Sequence, residues 1–267
     1  MLDLTGIDLT KSGGLSGSQG VYLKYKDKDN YYKFSTFDPY YGFIGFESFN
    51  EVIAGRLGKI LGINVLQQTL VRTKVVISNK PYITYACKSI SYKKPGEVRV
   101  YLPEYFKKKG IKGSSIYEAA INAGFKDFLN TLFIWDYLII GRDRHSGNVE
   151  LLAKGRKIRF APIFDNGVSL LAPITYGIPK NLFKEKVLHF RELDDYMANN
   201  FIGYRSLNAN LSLVTNPIYI NKLLKEHKKS IFYGMNSILP SFYIDKLWSI
   251  ICYRYSYLRR CGYIVEK

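Results

Sequence analysis

The sequence predicts a mixed α+β chain in two parts: residues 1–88, β-rich with one main helix, and residues 89–267, larger and mostly helical. Three observations carry this reading. Short runs before residue 90 alternate apolar and polar residues, the period of a half-buried strand. Between Glu47 and Leu61 the residues Phe49, Val52, Ile53, Leu57, Ile60 and Leu61 return at steps of three and four, the period of a helix. From Ile116 to Ile140 the chain is apolar on most faces, as a buried central helix should be.

In chain order, a Gly/Ser tract at 11–20 leads into a strand over Val21–Lys26. The polar run at 26–30 is a turn, and Tyr31–Ser35 is the returning strand. Gly62 stops the helix that begins at Glu47. Two strands follow, Val65–Ser78 and Pro81–Ser89, split by Asn79-Lys80. Residues 92–113 are rich in proline, glycine and lysine and read as a surface excursion rather than core. Beyond the apolar helix, Val149–Leu152 and Lys157–Ile163 read as strands around a turn at Lys154-Gly155. The remainder, from about Lys184, reads as mostly helical, with its strongest helix over Ser241–Leu258.

An apolar share of 47% excludes a wholly disordered chain despite a net charge of +17. Three cysteines, Cys87, Cys252 and Cys261, make no disulfide framework and suit a reducing compartment. The start MLDLTGIDLT has acids where a signal peptide has a basic then apolar stretch, and no run reaches the length of a membrane span. A cytoplasmic location is expected, with secretion as an effector left open. The positive charge raises nucleic acid as a partner. The basic runs Lys107–Lys109, Lys222–Lys229 and Arg259–Arg260 read more simply as solvated faces, so nucleic-acid binding is not favoured. His189 and His227 have no second metal ligand near them in sequence, and Cys87 reads as a small buried apolar residue.

The segment that carries chemistry is IIGRDRHSGNVELL followed by FAPIFDNGVSLL. Asp143 and Asn148 lie five apart, and Asp165 follows on a strand–turn–strand. Phosphoryl transfer needs an acceptor for the substrate hydroxyl's proton and oxygen ligands that hold Mg²⁺ against the phosphates. Asp143 fits the base, and Asn148 and Asp165 fit the metal ligands. The five-residue step alone is weak, since Asp194–Asn199 and Asp195–Asn200 share it. A buried helix before the first pair and a hairpin after it set that pair apart. Arg144 and His145 read as pinning the loop through backbone carbonyls rather than as catalytic groups. Upstream, Gly17, Ser18 and Gln19 would bring backbone N–H groups over a triphosphate. Lys33, held by Glu51 on the following helix, would grip its phosphates, with Lys24 or Lys26 as alternatives to Lys33.

The motifs SGSQG, YYKFS, FNE, WDYLIIGRDRHSGN and APIFDNG, in this order over about 13–170, resemble the HipA-like serine/threonine kinases, including the compact CtkA-type members, which are distantly similar to phosphatidylinositol kinases. The resemblance implies a bilobal protein-kinase-like fold with ATP and Mg²⁺ between a lobe of residues 1–88 and a lobe of residues 89–267. It implies catalysis by Asp143, metal binding by Asn148 and Asp165, and ATP contact by Lys33. The backbone of Ala86, Cys87 and Lys88, within Tyr85–Ser89, would meet the adenine. The activity implied is transfer of the ATP γ-phosphate to a hydroxyl of a protein substrate, in a growth-arresting toxin or effector. A helix-turn-helix antitoxin is then the implied partner. The chain is shorter than the full-length toxins, which leaves that partner contact in doubt. The loop serine that some members phosphorylate on themselves falls on Gly14, with Ser12, Ser16 and Ser18 nearby. Two alternatives stand beside this reading: a lipid or small-molecule kinase, and a non-catalytic binding module on a kinase fold. Val168–Lys186 and the basic 92–113 excursion are expected to border the acceptor.

Overall fold

The computed structural model describes residues 1–8, 23–172, 180–190 and 202–267. The chain opens with a strand the sequence pattern does not announce, β1 (Leu2–Asp8). The hairpin around the polar turn follows as β2 (Lys24–Asp27) and β3 (Asn30–Phe34). A short hairpin, β4 (Phe37–Asp38) and β5 (Gly42–Phe43), leads into α1 (Glu47–Leu61), whose ends are those of the apolar period. Gly62 caps α1 in the left-handed region, φ 75°, where a side chain is disfavoured. Next come β6 (Gln68–Ile77) and β7 (Lys80–Ile90), joined by Ser78 and Asn79 at positive φ, the geometry of a tight hairpin turn.

These strands form a five-stranded sheet in the order β1-β6-β7-β3-β2, with β1 parallel to β6 and the other pairs antiparallel. Successive residues face opposite sides, so the sheet has two distinct surfaces. On the outer one, Tyr32, Phe34, Val75, Ile77 and Ala86 close a small core with Leu4. On the inner one, Lys24, Lys33, Cys87 and Leu70 stand in a single cross-strand row. Helix α1 packs toward this inner side, and its Phe49, Val52, Ile53 and Leu57 share one apolar core with Cys87 and the carboxy-terminal helices. The turn after α1 adds a backbone tie, with Leu66 N–H donating to the Ile163 carbonyl and Ile163 N–H to that of Asn64, both at 2.8 Å. That close approach depends on Gly55, where an added Cβ would lie 2.8 Å from the Leu66 carbonyl oxygen. Gly55→Ala should therefore destabilise by about 1–3 kcal/mol through overpacking, read as a lower urea midpoint at unchanged slope.

The stretch 92–113 corrects the sequence expectation. It holds β8 (Val98–Tyr101) and α2 (Leu102–Lys109), and Leu102 and Phe106 are buried in the main core. Pro103 lies in the first turn of α2, where it lacks no needed N–H, and Gly110 caps the end at φ 66°. The long helix over 116–140 is likewise two helices, α3 (Ile116–Asn122) and α4 (Lys126–Ile139), parted at Gly124 with φ 79°. The Ser115 hydroxyl caps α3 by accepting from Glu118 N–H. Strands β9 (Glu150–Lys154) and β10 (Lys157–Phe160) join β8 in a three-stranded sheet, order β10-β9-β8.

The last part is helical with one addition. It contains α5 (Lys180–Leu188), α6 (Leu207–Leu211), β11 (Ile218–Ile220), α7 (His227–Ile231), α8 (Ser241–Arg260) and β12 (Ile264–Glu266). The parallel pair β11–β12 is not visible in the sequence pattern. Asn221, just after β11, ties this region to α1: its side chain donates to the Ile60 carbonyl at 3.0 Å and its N–H to that of Leu61 at 2.9 Å. No helix among the described residues is long and apolar enough to cross a membrane.

Candidate active site

Between the inner face of the five-stranded sheet and the end of α4, one lysine meets two carboxylates. Lys33, on β3, donates from Nζ to Glu51 Oε1 at 2.7 Å and also to Asp165 Oδ1. Burial pulls the Lys33 ammonium toward neutrality, but Asp165 and Glu51 outweigh it and hold its pKa well above the usual lysine value. Burial likewise raises Asp165, yet the Lys33 charge prevails and brings its carboxyl down to about 2. Asp165 is therefore ionised throughout the physiological range. Its backbone takes the left-handed region, φ 60°, uncommon for a residue with a side chain and frequent at functional positions.

Helix α1 fixes its acidic residue from several directions. Glu51 is buried, and its second oxygen accepts from Gln68 Nε2 at 2.9 Å and from Asn166 N–H at 3.1 Å. The neighbouring Asn50 donates through Nδ2 to the carbonyls of Gly167 and Ser169, both at 3.0 Å. The 165–169 segment is thus bonded to the same helical turn that positions Lys33.

Asp143 stands on the loop that leaves α4. The helix ends at Ile140 in the left-handed region, and Gly141 N–H bonds back to the Asp136 carbonyl at 2.7 Å. Arg144 then turns inward and forms a buried, two-pronged pair with Asp136, Nε to Oδ2 at 3.0 Å and Nη2 to Oδ1 at 2.9 Å. Its remaining donors reach the carbonyls of Asn148 and Phe164 and the side-chain oxygen of Asn166. Trp135 Nε1 donates to that same Asn166 oxygen at 3.1 Å. Arg144 pins the loop through carbonyls, the role the sequence suggested. His145 acts differently: its Nδ1 accepts from Gly147 N–H at 3.0 Å within the turn that follows. Asp143 is half-exposed. Burial raises its pKa and the Asp165 charge adds to the rise, while His145, Arg144 and Lys33 oppose it without cancelling it.

Asn148 closes a short 3-10 turn, Ser146–Asn148, and its Nδ2 donates to the Asp143 carbonyl at 2.7 Å. That bond fixes the amide so that its oxygen faces away from the carbonyl and can serve as a ligand. Among the described residues no group of three or more His, Cys, Asp or Glu side chains forms a metal cage. A cation bound here would take one amide oxygen and one carboxylate and complete its shell from phosphates and water, the arrangement Mg²⁺ prefers with nucleotides. The donor set fits Mg²⁺ with a nucleotide.

The expected base-binding backbone needs correction. Ala86, Cys87 and Lys88 lie within β7, paired on one edge with Phe34, Lys33 and Tyr32 of β3 and on the other with Val71, Leu70 and Thr69 of β6. Their main-chain donors and acceptors are committed to the sheet, since an interior strand bonds on both edges. Their side chains divide: Ala86 and Lys88 face the outer surface, and only Cys87 faces Lys33. Burial pushes the Cys87 thiol far up, so it behaves as a small apolar group. The chain leaves the sheet after Ile90, where Tyr92 stacks on Phe164 with ring centroids 5.9 Å apart. Tyr92 also donates to Glu150, a buried carboxylate that Arg99 pairs at 2.8 Å. Gly17, Ser18 and Gln19, the loop serines Ser12 and Ser16, and the Asp194–Asn199 and Asp195–Asn200 pairs lie outside the described residues. So do 173–179, within the segment expected to border the acceptor.

A solved structure shares the overall fold. Over 98% of this chain and 96% of the other, the structure superposes on the proinflammatory kinase CtkA of Helicobacter pylori, at a TM-score of 0.61 and 16% identity. The fold is kinase-like. A chain in the Shewanella oneidensis HipA–HipB toxin–antitoxin complex with operator DNA aligns with 92% of this chain and 65% of its own length, at 16% identity and a TM-score of 0.43. No family model matches the chain, and no curated protein matches its sequence.

Proposed function

We propose that the chain is an ATP-dependent protein kinase that transfers the γ-phosphate to a serine or threonine hydroxyl of another protein. The observation that supports this most is Lys33 joined to both Glu51 and Asp165 within a kinase-like fold. Lys33 would hold the nucleotide's phosphates, oriented by Glu51. Asn148 and Asp165 would hold Mg²⁺, which when bound neutralises charge on the phosphates. Asp143, with its raised pKa, would accept the proton of the attacking hydroxyl, because a base titrating nearer neutrality suits that transfer. The segment after Ile90, with Tyr92 packed on Phe164, would meet the base in place of residues 86–88.

Incubating the purified chain and Mg²⁺ with γ-labelled ATP tests the reading, with a protein extract in one arm and phosphoinositide vesicles in the other. Label on serine or threonine of protein is the expected result. Label on lipid alone would transfer the proposal to a lipid kinase, and no label in either arm would refute both. A second prediction concerns nucleotide affinity. Lys33→Met should weaken ATP binding at least about tenfold, as loss of one charge-assisted contact does. Glu51 keeps its bonds from Gln68 and Asn166, so the variant should stay folded by circular dichroism.

A further inference from the structure

Lys24 is the direct cross-strand neighbour of Lys33 in the β2–β3 register, so both side chains leave the same inner face of the sheet. Residues so paired have Cβ atoms about 5 Å apart, and like charges there repel. Lys33 commits its ammonium to Glu51 and Asp165. Lys24 is half-buried and makes no ion pair among the described residues. Burial, then the charge of Lys33, draw its pKa down, while Asp165 and Glu51 act on it in the opposite sense. The site therefore carries a lysine whose charged form is less favourable than that of a free lysine, set beside the lysine proposed to grip phosphate. A polyanion entering between the two would relieve the repulsion and give Lys24 a partner.

We propose that Lys24 is a second phosphate-binding lysine that donates to the phosphate chain of the bound nucleotide beside Lys33. The proposal rests on the kinase reading above and extends it to a residue on a different strand. Lys26 does not share the role, since its Nζ lies 5.3 Å from the centre of the Tyr31 ring on the same hairpin. Strand β2 is at the sheet edge, so replacements at Lys24 leave the packed core untouched.

The test measures binding of ATP and of adenosine by calorimetry to the wild-type chain, Lys24→Gln and Lys24→Arg. The expected result is ATP affinity about tenfold lower in Lys24→Gln, adenosine affinity unchanged, and ATP affinity largely restored in Lys24→Arg. ATP affinity within about twofold of wild type in Lys24→Gln overturns the proposal and leaves the kinase reading standing. Equal losses for ATP and adenosine also overturn it, because they mark a change in site shape rather than a lost phosphate contact. A wild-type chain that binds no ATP would remove both the proposal and the reading beneath it.

Discussion

Asp143→Asn is expected to remove phosphotransfer, by at least about a thousandfold in kcat, while ATP affinity stays within about threefold of wild type. The amide keeps the size of the carboxylate but cannot take a proton. The loop should hold its shape, because it is anchored by the Asp143 carbonyl, which accepts from Asn148 Nδ2, and by Arg144, while the Asp143 side chain reaches only His145 Nε2, at 4.0 Å. Single-turnover labelling separates this from a binding defect. A variant that retains most of its rate would show that Asp143 is not the proton acceptor.

The same residue predicts a pH profile. Burial and the nearby Asp165 charge raise the Asp143 pKa, so the carboxylate form that could accept a proton is lost as pH falls through that raised value. Asp165, held at about 2, is already ionised there and contributes nothing to that limb. The acid limb of the rate should therefore lie above the range where an ordinary aspartate titrates. An acid limb at or below that range would contradict the assignment.

The second large effect is on stability. Asp136 is fully buried and Arg144 nearly so, and they meet in a two-pronged pair. Burial raises the Asp136 pKa, and the Arg144 charge opposes that rise. Asp136→Asn would leave a buried guanidinium without its counter-charge, a change that costs about 3–5 kcal/mol. Arg144 also bonds the carbonyls of Asn148 and Phe164 and the Asn166 side chain. Losing its anchor should therefore loosen the loop of Asp143 and the segment of Asp165 together. Urea unfolding reads the first effect, and ATP binding the second. A loss under about 1 kcal/mol in Asp136→Asn would show the pair to be dispensable.

Local pattern determined more of this protein than its low similarity to solved structures suggests. Helix α1 was legible to the residue because its apolar face repeats every three to four residues and a glycine ends it. The hairpins β2–β3 and β6–β7 were legible because alternation and turn residues are local signals. Lys33, Glu51, Asp143, Asn148 and Asp165 were legible as candidates because phosphoryl transfer constrains residue type and order, and the fold brings Lys33, Glu51 and Asp165 into contact. Only the tertiary structure decided the rest. Strand β1 pairs in parallel with residues some seventy positions away, so its own seven residues carry no sign of the partner. The 92–113 stretch reads as surface by composition, yet Leu102 and Phe106 face the core because α2 needs only one apolar stripe. Whether a strand's backbone is free depends on both of its neighbours, and β3 and β6 flank residues 86–88. The roles of Asp136 and Asn166 arise the same way. The sequence pattern singles out neither, and each is defined by the side chains that the fold brings to it.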